Sequence, residues 1–431
     1  MSRPRAAVVV TGSELVRGER QDRNGPYLAR ESLSLGLEPA RIVVVGDNPA
    51  EVRTALAGGL DADLCFTSGG LGPTHDDRTV ETLADVMGRA LVLDETLRHE
   101  IEAVSRGIAA RLRRSYTDFE AGVRKQATVP EGALVVGLAG TAPGLVLEHD
   151  SCVVVVLPGP PSELRRLWER ARAMDPVRRV LARARPPERR ELRIFGASES
   201  AVAQALAAAG GDGGGVEATI CARDYEIHVD LVYDVAAAAR AEELEGELAS
   251  RLAPYVFARR ALPVEELVLA LCRARGLTLS AAESCTGGLV AARLTAVPGA
   301  SDVFLGGVVA YADSVKEAEL GVPADVIAEH GAVSAETAAA MGRGVCTRLG
   351  ADVAVSVTGI AGPGGGTAEK PVGLVYLHAV GPDGERGREL RLHGDREEIR
   401  RRATVTALHL VRTLLEPAAV TLSAQSGRTS A

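Results

Sequence analysis

Thr278-Leu-Ser-Ala-Ala-Glu-Ser-Cys-Thr-Gly-Gly-Leu289 starts as a short, largely apolar run and reaches two adjacent glycines before Leu289. That is the pattern of a strand turning abruptly into a helix. Glycine tolerates the backbone angles of such a turn and lets a ligand approach the main chain. The first N–H groups of the following helix are expected to point outward as anion donors. Ser284 sits at the junction, a suitable place for a nucleophile with an oxyanion hole beside it. The competing reading makes Ser284 or Thr286 a helix cap, a commoner role for a hydroxyl at a helix start.

Outward from this stretch the same strand–helix alternation continues. Val264 onward reads as a helix, the strand Leu277–Ala282, a helix over 287–294 and a strand over 303–311. Helices around 314–349 and strands over 353–357 and 373–380 follow, with a last helix over 396–415. Residues 6–170 show a second alternation, with strands over 6–11, 42–45, 64–67 and 152–157 and helices over 24–36, 50–60 and 78–87. Short connections between alternating elements predict a parallel sheet covered by helices. Between them, 192–257 reads as a small α+β unit, and the arginine- and proline-rich stretch 176–190 as a linker or exposed helix end. The chain is therefore expected to be an α/β protein of three domains, 1–172, 186–258 and 262–418, with a disordered tail over 419–431.

Composition narrows the chemistry. A net charge of −8 disfavours nucleic acid and anionic membranes as partners, since both usually call for a basic field. No apolar run is long enough for a membrane span, the N-terminus lacks a signal-peptide layout, and the six cysteines are scattered singly. A cytoplasmic protein with reduced thiols is expected. Of 49 basic residues only Lys125, Lys316 and Lys370 are lysine. Where arginine serves almost everywhere as the surface cation, a retained lysine is a candidate for work that needs a neutral amine.

Two further segments gather near the ends of C-terminal strands. Tyr311-Ala-Asp-Ser-Val-Lys316 follows a glycine-containing strand, and partial burial beside a cation would suit Lys316 to act as general base for Ser284, with Tyr311 orienting the proton. Ser356-Val-Thr-Gly-Ile-Ala-Gly-Pro-Gly-Gly-Gly-Thr367 exposes many backbone N–H groups, able to hold phosphate or carboxylate, with Thr358 at its mouth. Three such segments at strand C-termini match the way open α/β sheets bind ligands.

Glu283-Ser-Cys-Thr-Gly-Gly288, Ala310-Tyr-Ala-Asp-Ser-Val-Lys316, Gly331-Ala-Val-Ser334, Thr358-Gly-Ile-Ala-Gly-Pro363, Glu369-Lys-Pro-Val-Gly373 and Gly394-Asp-Arg396 together resemble the CinA C-terminal domain, in order and spacing, over about 262–416. The resemblance implies a nicotinamide-nucleotide amidase that converts nicotinamide mononucleotide to nicotinic acid mononucleotide and ammonia. It implies Ser284 as the acylated nucleophile, Lys316 as the base and Tyr311 as its assistant, with no cofactor at this site. By the same resemblance Thr286, Gly287, Ser301, Thr358, Gly359 and Arg396 line the site or hold the nucleotide phosphate, with Arg400 the alternative phosphate-facing arginine.

Near the N-terminus, Thr11-Gly-Ser-Glu-Leu15 and Ser68-Gly-Gly-Leu-Gly-Pro-Thr-His-Asp-Asp-Arg-Thr79 each follow a strand. Gly69, Gly70 and Gly72 could cradle a pyrophosphate, and Asp76 and Asp77 could bind a divalent ion. The alternative makes Asp76 or Asp77 an N-cap and Gly88 the C′ residue of the same helix. With Asn24, Gly46-Asp-Asn48, Gln126, Gly140-Thr-Ala-Pro-Gly144 and Leu157-Pro-Gly-Pro-Pro161, this region resembles the MoaB/MogA-like, molybdopterin-binding-like domain that opens CinA proteins. That resemblance implies an ADP-ribose pyrophosphatase site using Asp76, Asp77 and Glu14 around a divalent metal. The middle unit is similar to the family's KH-like domain, yet it lacks a basic GxxG loop and sits in an acidic chain, which argues against RNA. The partners expected are small-molecule nucleotides and a second copy in a homodimer. The reading from another class is a competence- or damage-linked nucleotide-binding or partner-docking protein whose N-terminal domain is non-catalytic.

Overall fold

Runs of β-branched residues buried on both faces build the first sheet. In the computed structural model, which describes residues 3–416, Val8, Val9, Val10, Phe66 and residues 153–156 are all buried. The chain divides into two compact units, Met1–Glu188 and Arg189–Ala431. In the first, six strands lie in the order Glu38–Val45, Arg5–Thr11, Leu64–Ser68, Cys152–Leu157, Pro143–His149, Leu134–Leu138. The first four are parallel and the last two antiparallel, so the sheet is mixed rather than wholly parallel as the alternation predicted. The hairpin escapes a sequence reading because a register irregularity between Val135 and Gly137 breaks its period-2 pattern. Trp168 packs edge-on against Phe66, with ring centroids 4.9 Å apart, and fixes the helix Pro161–Ala171 to the sheet.

Of the stretch 176–190 only residues 182–187 lie outside a helix or strand, after a helix end at Leu181. The helix Asp175–Leu181 has proline at its start and buries Pro176, Val177 and Val180, and a strand already runs from Glu188 to Ile194. The helix Glu95–Leu112 is capped by Asp94, which accepts the Leu97 N–H at 2.9 Å, and buries Leu97, Ile101, Ser105 and Ala109 at four-residue spacing.

The second unit holds two sheets. A four-stranded one has the order Val216–Arg223, Glu226–Tyr233, Glu188–Ile194, Val256–Ala258, and its hairpin turns on Asp224 and Tyr225, both with left-handed backbones. A five-stranded one has the order Phe304–Val309, Leu279–Glu283, Val353–Gly359, Leu374–Gly381, Gly384–Arg391. Its first three strands are parallel and its last two antiparallel. The last strand was not anticipated because it is a charged edge, exposed at every position but Leu390. Helices Val264–Arg275, Leu289–Thr295 and Arg396–Leu415 bury one face of this sheet; Asp313–Leu320 and Ala335–Leu349 contribute to a second cluster on the other. The disordered tail expected over 419–431 lies outside the described residues. Among the described residues no helix is long and apolar enough to cross a membrane.

The helix Arg396–Leu415 is tied to the neighbouring sheet through a buried imidazole. His409 stacks on Phe195 at 3.7 Å, meets Phe257 edge-on, donates from Nε2 to Glu226 at 2.8 Å and accepts at Nδ1 from Arg412 Nε at 3.1 Å. That pattern assigns the neutral tautomer. Burial pushes the His409 imidazole down to about 4, against the pull of Glu226 and with the help of Arg412 and Arg293. Burial raises Glu226, but hydrogen bonds from His228 and His409 outweigh it and hold the carboxyl at about 2.

Both groups bind protons more readily in the unfolded chain, so both stabilise the fold at neutral pH and destabilise it in acid. The His409 contribution is present above its unfolded value of 6.5 and is lost as pH falls toward about 4; that of Glu226 is lost from 4.5 toward about 2. The imidazole accounts for a loss on the order of 3 kcal/mol. Melting temperatures of the wild type should fall more steeply between about pH 7 and 4.5 than those of His409→Gln, which has no titratable ring there. Parallel slopes would exclude the buried imidazole as the acid-sensitive group.

Candidate active site

The parallel register sets Glu283 beside Val309 on one side and Val357 on the other, so three chain segments leave the sheet together. Ser284 begins the middle one. Its N–H donates to Val357 O at 2.8 Å, and the Ala310 N–H donates to Glu283 O at 2.8 Å. Ser284 is 8% exposed, and Gly287 and Gly288 then turn the chain with φ of 59° and 96°, angles that favour glycine.

The helix amides expected to face outward are already occupied. Glu283, only 1% exposed, accepts the N–H groups of Gly288 at 2.9 Å, Val290 at 3.1 Å and Ala291 at 2.9 Å. A carboxylate bound by three N–H groups at the positive end of a helix is well compensated for its burial. Reading Glu283 merely as the neighbour of Ser284 missed this; the signal was an acidic residue shortly before a helix start. Cys285, the adjacent thiol, is pushed by burial up to about 12 and stays protonated at neutral pH, so it does not compete as a nucleophile.

Lys316 is 2% exposed on the helix Asp313–Leu320. Its Nζ donates to Asp313 Oδ1 at 2.9 Å and to Tyr311 O at 3.4 Å. The Tyr311 ring is exposed and its hydroxyl accepts from Arg396 Nη2 at 2.8 Å, so the phenol meets an arginine while its carbonyl meets the lysine. Arg396 Nη1 also donates to Gly362 O at 2.7 Å, which joins the Tyr311 segment to the glycine-rich loop. Arg400 donates to Cys285 O at 3.0 Å and Thr286 O at 2.7 Å. Thr286 is fully buried and its hydroxyl has no hydrogen-bond partner.

Thr358 lies beside Ser284 at the end of its strand, but its hydroxyl is committed to Ala332 O at 2.7 Å. A Cβ on Gly359 would meet Val375 at 2.7 Å and Leu374 O at 2.8 Å, so packing demands that glycine. Ser301 is not brought to the others within one chain. It is exposed in the turn Ala300–Asp302 before the strand Phe304–Val309, roughly 20 Å of strand from the Ser284 end. Four successive carbonyls beside Thr358 are captured by side chains. Lys370 Nζ donates to His330 O at 2.6 Å and Val333 O at 2.8 Å, Thr337 to Gly331 O at 2.8 Å, and Thr358 to Ala332 O.

The N-terminal glycines serve packing. A Cβ on Gly69 would lie 2.3 Å from Thr11 O, one on Gly70 2.2 Å from Thr79 Oγ1, and one on Gly72 2.3 Å from Asp77 Oδ2. Asp77 accepts the N–H and hydroxyl of Thr74, Asp76 is exposed, and neither caps the helix Thr79–Val86, whose N-cap Arg78 makes no side-chain bond. Glu14 lines a cavity of about 560 Å³ with Thr11, Asp22, Asn24 and Ser68, whereas Asp77 lines another of about 330 Å³ with Arg124 and Lys125. The expected metal set of Asp76, Asp77 and Glu14 is therefore divided between places. Among the described residues no group of three His, Cys, Asp or Glu is arranged to hold an ion. With two cations beside Asp77, these residues do not fit a divalent metal.

Residues 261–415 match the CinA C-terminal domain and residues 7–173 a probable molybdopterin binding domain, which defines the class. The chain is 44% identical over 421 residues to a CinA-like protein of Mycobacterium sp. (strain JLS), covering 96% of this chain and 99% of that one. It is 42% identical over 421 residues to a CinA-like protein of Mycobacterium tuberculosis (strain ATCC 25177 / H37Ra), covering 95% and 97%. It belongs to the CinA family. Among solved structures, the competence/damage inducible protein CihA from Agrobacterium tumefaciens is 43% identical, covering 36% of this chain and 98% of that one with a TM-score of 0.35.

The Lys370 contacts carry a prediction for the fold around Thr358. Lys370→Met leaves two carbonyls without their donor and should cost about 1–3 kcal/mol. Denaturant melts of the two proteins would read this as a lowered midpoint, and coincident midpoints would show that the ammonium does not hold the turn.

Proposed function

We propose that the C-terminal domain hydrolyses the carboxamide of nicotinamide mononucleotide by acyl transfer through Ser284. The observation that carries the reading is Lys316: one of three lysines among 49 basic residues, buried to 2% where the strand next to that of Ser284 leaves the sheet. A surface cation would be arginine in this chain, and would not be buried. A buried amine on the segment that follows the neighbouring strand, held by Asp313 and the Tyr311 carbonyl, is the general-base candidate when no histidine is at hand.

In the proposed reaction Ser284 Oγ attacks the amide carbon while the Lys316 amine takes the hydroxyl proton. The tetrahedral intermediate collapses as the C–N bond breaks, and the proton passes from Lys316 to the departing ammonia. Water then attacks the acyl ester, Lys316 receives a proton from it, and Ser284 is released with it as nicotinic acid mononucleotide forms. Arg396, bridging Tyr311 and Gly362, is the arginine we assign to the phosphate side, where the glycine-rich loop adds N–H donors. The N-terminal pyrophosphatase reading has no comparable support, because its carboxylates are not gathered.

Ammonia release from nicotinamide mononucleotide tests this reading. Wild type should be active, and Ser284→Ala and Lys316→Arg should each lose on the order of 10³-fold or more in kcat. Arginine keeps the charge but not the ability to shed a proton. Equal release by wild type and Ser284→Ala would remove the serine, near-full activity of Lys316→Arg would remove the amine, and an inactive wild type would favour a binding role for the domain.

A further inference from the structure

We infer that Arg400 is a positioning residue that aims an oxyanion donor of the Ser284 loop, the Thr286 N–H, and is not a ligand of the nucleotide phosphate. The inference rests on the amidase reading above and says which main-chain groups complete that site.

A tetrahedral intermediate on Ser284 places negative charge on the former amide oxygen, and preorganised N–H donors next to the nucleophile stabilise it. Most amides of the loop are already committed. That of Ser284 bonds Val357 O, that of Gly287 bonds Ser284 O, and that of Leu289 bonds Thr286 O. Those of Gly288, Val290 and Ala291 bond the Glu283 carboxylate. From 284 to 291, among the described residues, the N–H groups of Cys285 and Thr286 are the two that bond no oxygen, and both face the Cys285 sulfur, a weak acceptor.

Arg400 determines which way one of these points. Its Nε and Nη2 hold Cys285 O and Thr286 O side by side, the two-pronged grip a planar guanidinium makes and an ammonium does not. In a trans peptide the C=O of one residue and the N–H of the next point in opposite directions. Holding Cys285 O therefore turns the Thr286 N–H away from Arg400. Holding Thr286 O likewise turns the Gly287 N–H back to Ser284 O, where it is found at 3.0 Å. Glu283 grips the following turn, so the loop is fixed at both ends.

The helix carrying Arg400 is itself anchored. Arg401 pairs with Asp224 at 2.8 Å and His409 with Glu226, both on the hairpin of the neighbouring sheet. The arginine thus acts from a fixed support, without touching the reacting atoms.

The two roles for Arg400 separate on a pair of substrates, nicotinamide mononucleotide and nicotinamide riboside, which lacks the phosphate. Arg400→Ala and Arg400→Lys should lower kcat on both by a similar factor, on the order of 10²-fold, with KM for the nucleotide within about threefold of wild type. Added guanidinium ion should restore part of the Arg400→Ala activity, which a merely misfolded variant would not show. A loss confined to the nucleotide and expressed in KM would make Arg400 a phosphate ligand and overturn the inference, as would an unchanged kcat. Labelling of Ser284 by a fluorophosphonate probe, which passes through a comparable oxyanion, keeps the test independent of substrate. If wild type is labelled but releases no ammonia, the substrate reading fails, and slower labelling of Arg400→Ala still supports the positioning role. Equal labelling rates, or a wild type that neither labels nor hydrolyses, overturn it.

Discussion

The C-terminal site depends on one buried carboxylate. Glu283 ends a strand with both neighbours paired, and its side chain takes three amides of the helix that follows. Removing a partner from such a buried charge leaves either an ion without donors or several amides without an acceptor, each costly. The bend from strand to helix is therefore fixed from within, and Ser284 is held where the bend begins. The same contact occupies the helix terminus that a sequence reading would assign to an incoming anion. The amides of Cys285 and Thr286, which precede the helix, are left without an oxygen acceptor.

Much of the architecture was legible because burial leaves a pattern. The strand Cys152–Leu157 and the helix Arg396–Leu415 have the bounds their apolar patterns indicate, since each is an element whose buried positions are nearly continuous or evenly spaced. What was lost lacked that pattern for physical reasons. The strand Gly384–Arg391 is a charged edge, and Leu134–Leu138 contains an irregularity at Gly137. The helix Asp175–Leu181 packs with only three buried residues, too few to stand out among arginines.

The residues of the candidate site stand out in the sequence; their hydrogen-bond partners do not. Scarcity singles out three lysines, of which Lys316 is the one buried to 2%, but scarcity does not say that Asp313 and the Tyr311 carbonyl hold its amine. Tyr311 is expected from sequence to orient the lysine's proton, whereas its contact with the lysine runs through its main chain and its hydroxyl faces Arg396. A sequence fixes which groups are present near a site; which atom of each group is used depends on backbone direction, and that is decided by the sheet register.

Glycine-rich loops show the same limit at both ends of the chain. Gly69 and Gly70 adopt left-handed angles beside Thr11 and Thr79, and Gly287 and Gly288 do so beside Ser284. In the first pair a Cβ would collide with threonine oxygens, while at Gly288 the nearest atom is 3.8 Å away. The first loop needs glycine because two strand ends and a helix close upon it. The second needs glycine for its turn, with Arg400 Nη2 3.2 Å from a Cβ on Gly287 and nothing nearer than 3.8 Å at Gly288. Composition alone cannot separate these cases, because steric exclusion by the protein and accommodation of a ligand both select the residue with no side chain. The uncrowded turn at Gly288, a few residues after the buried Ser284, is what separates the second loop from the first.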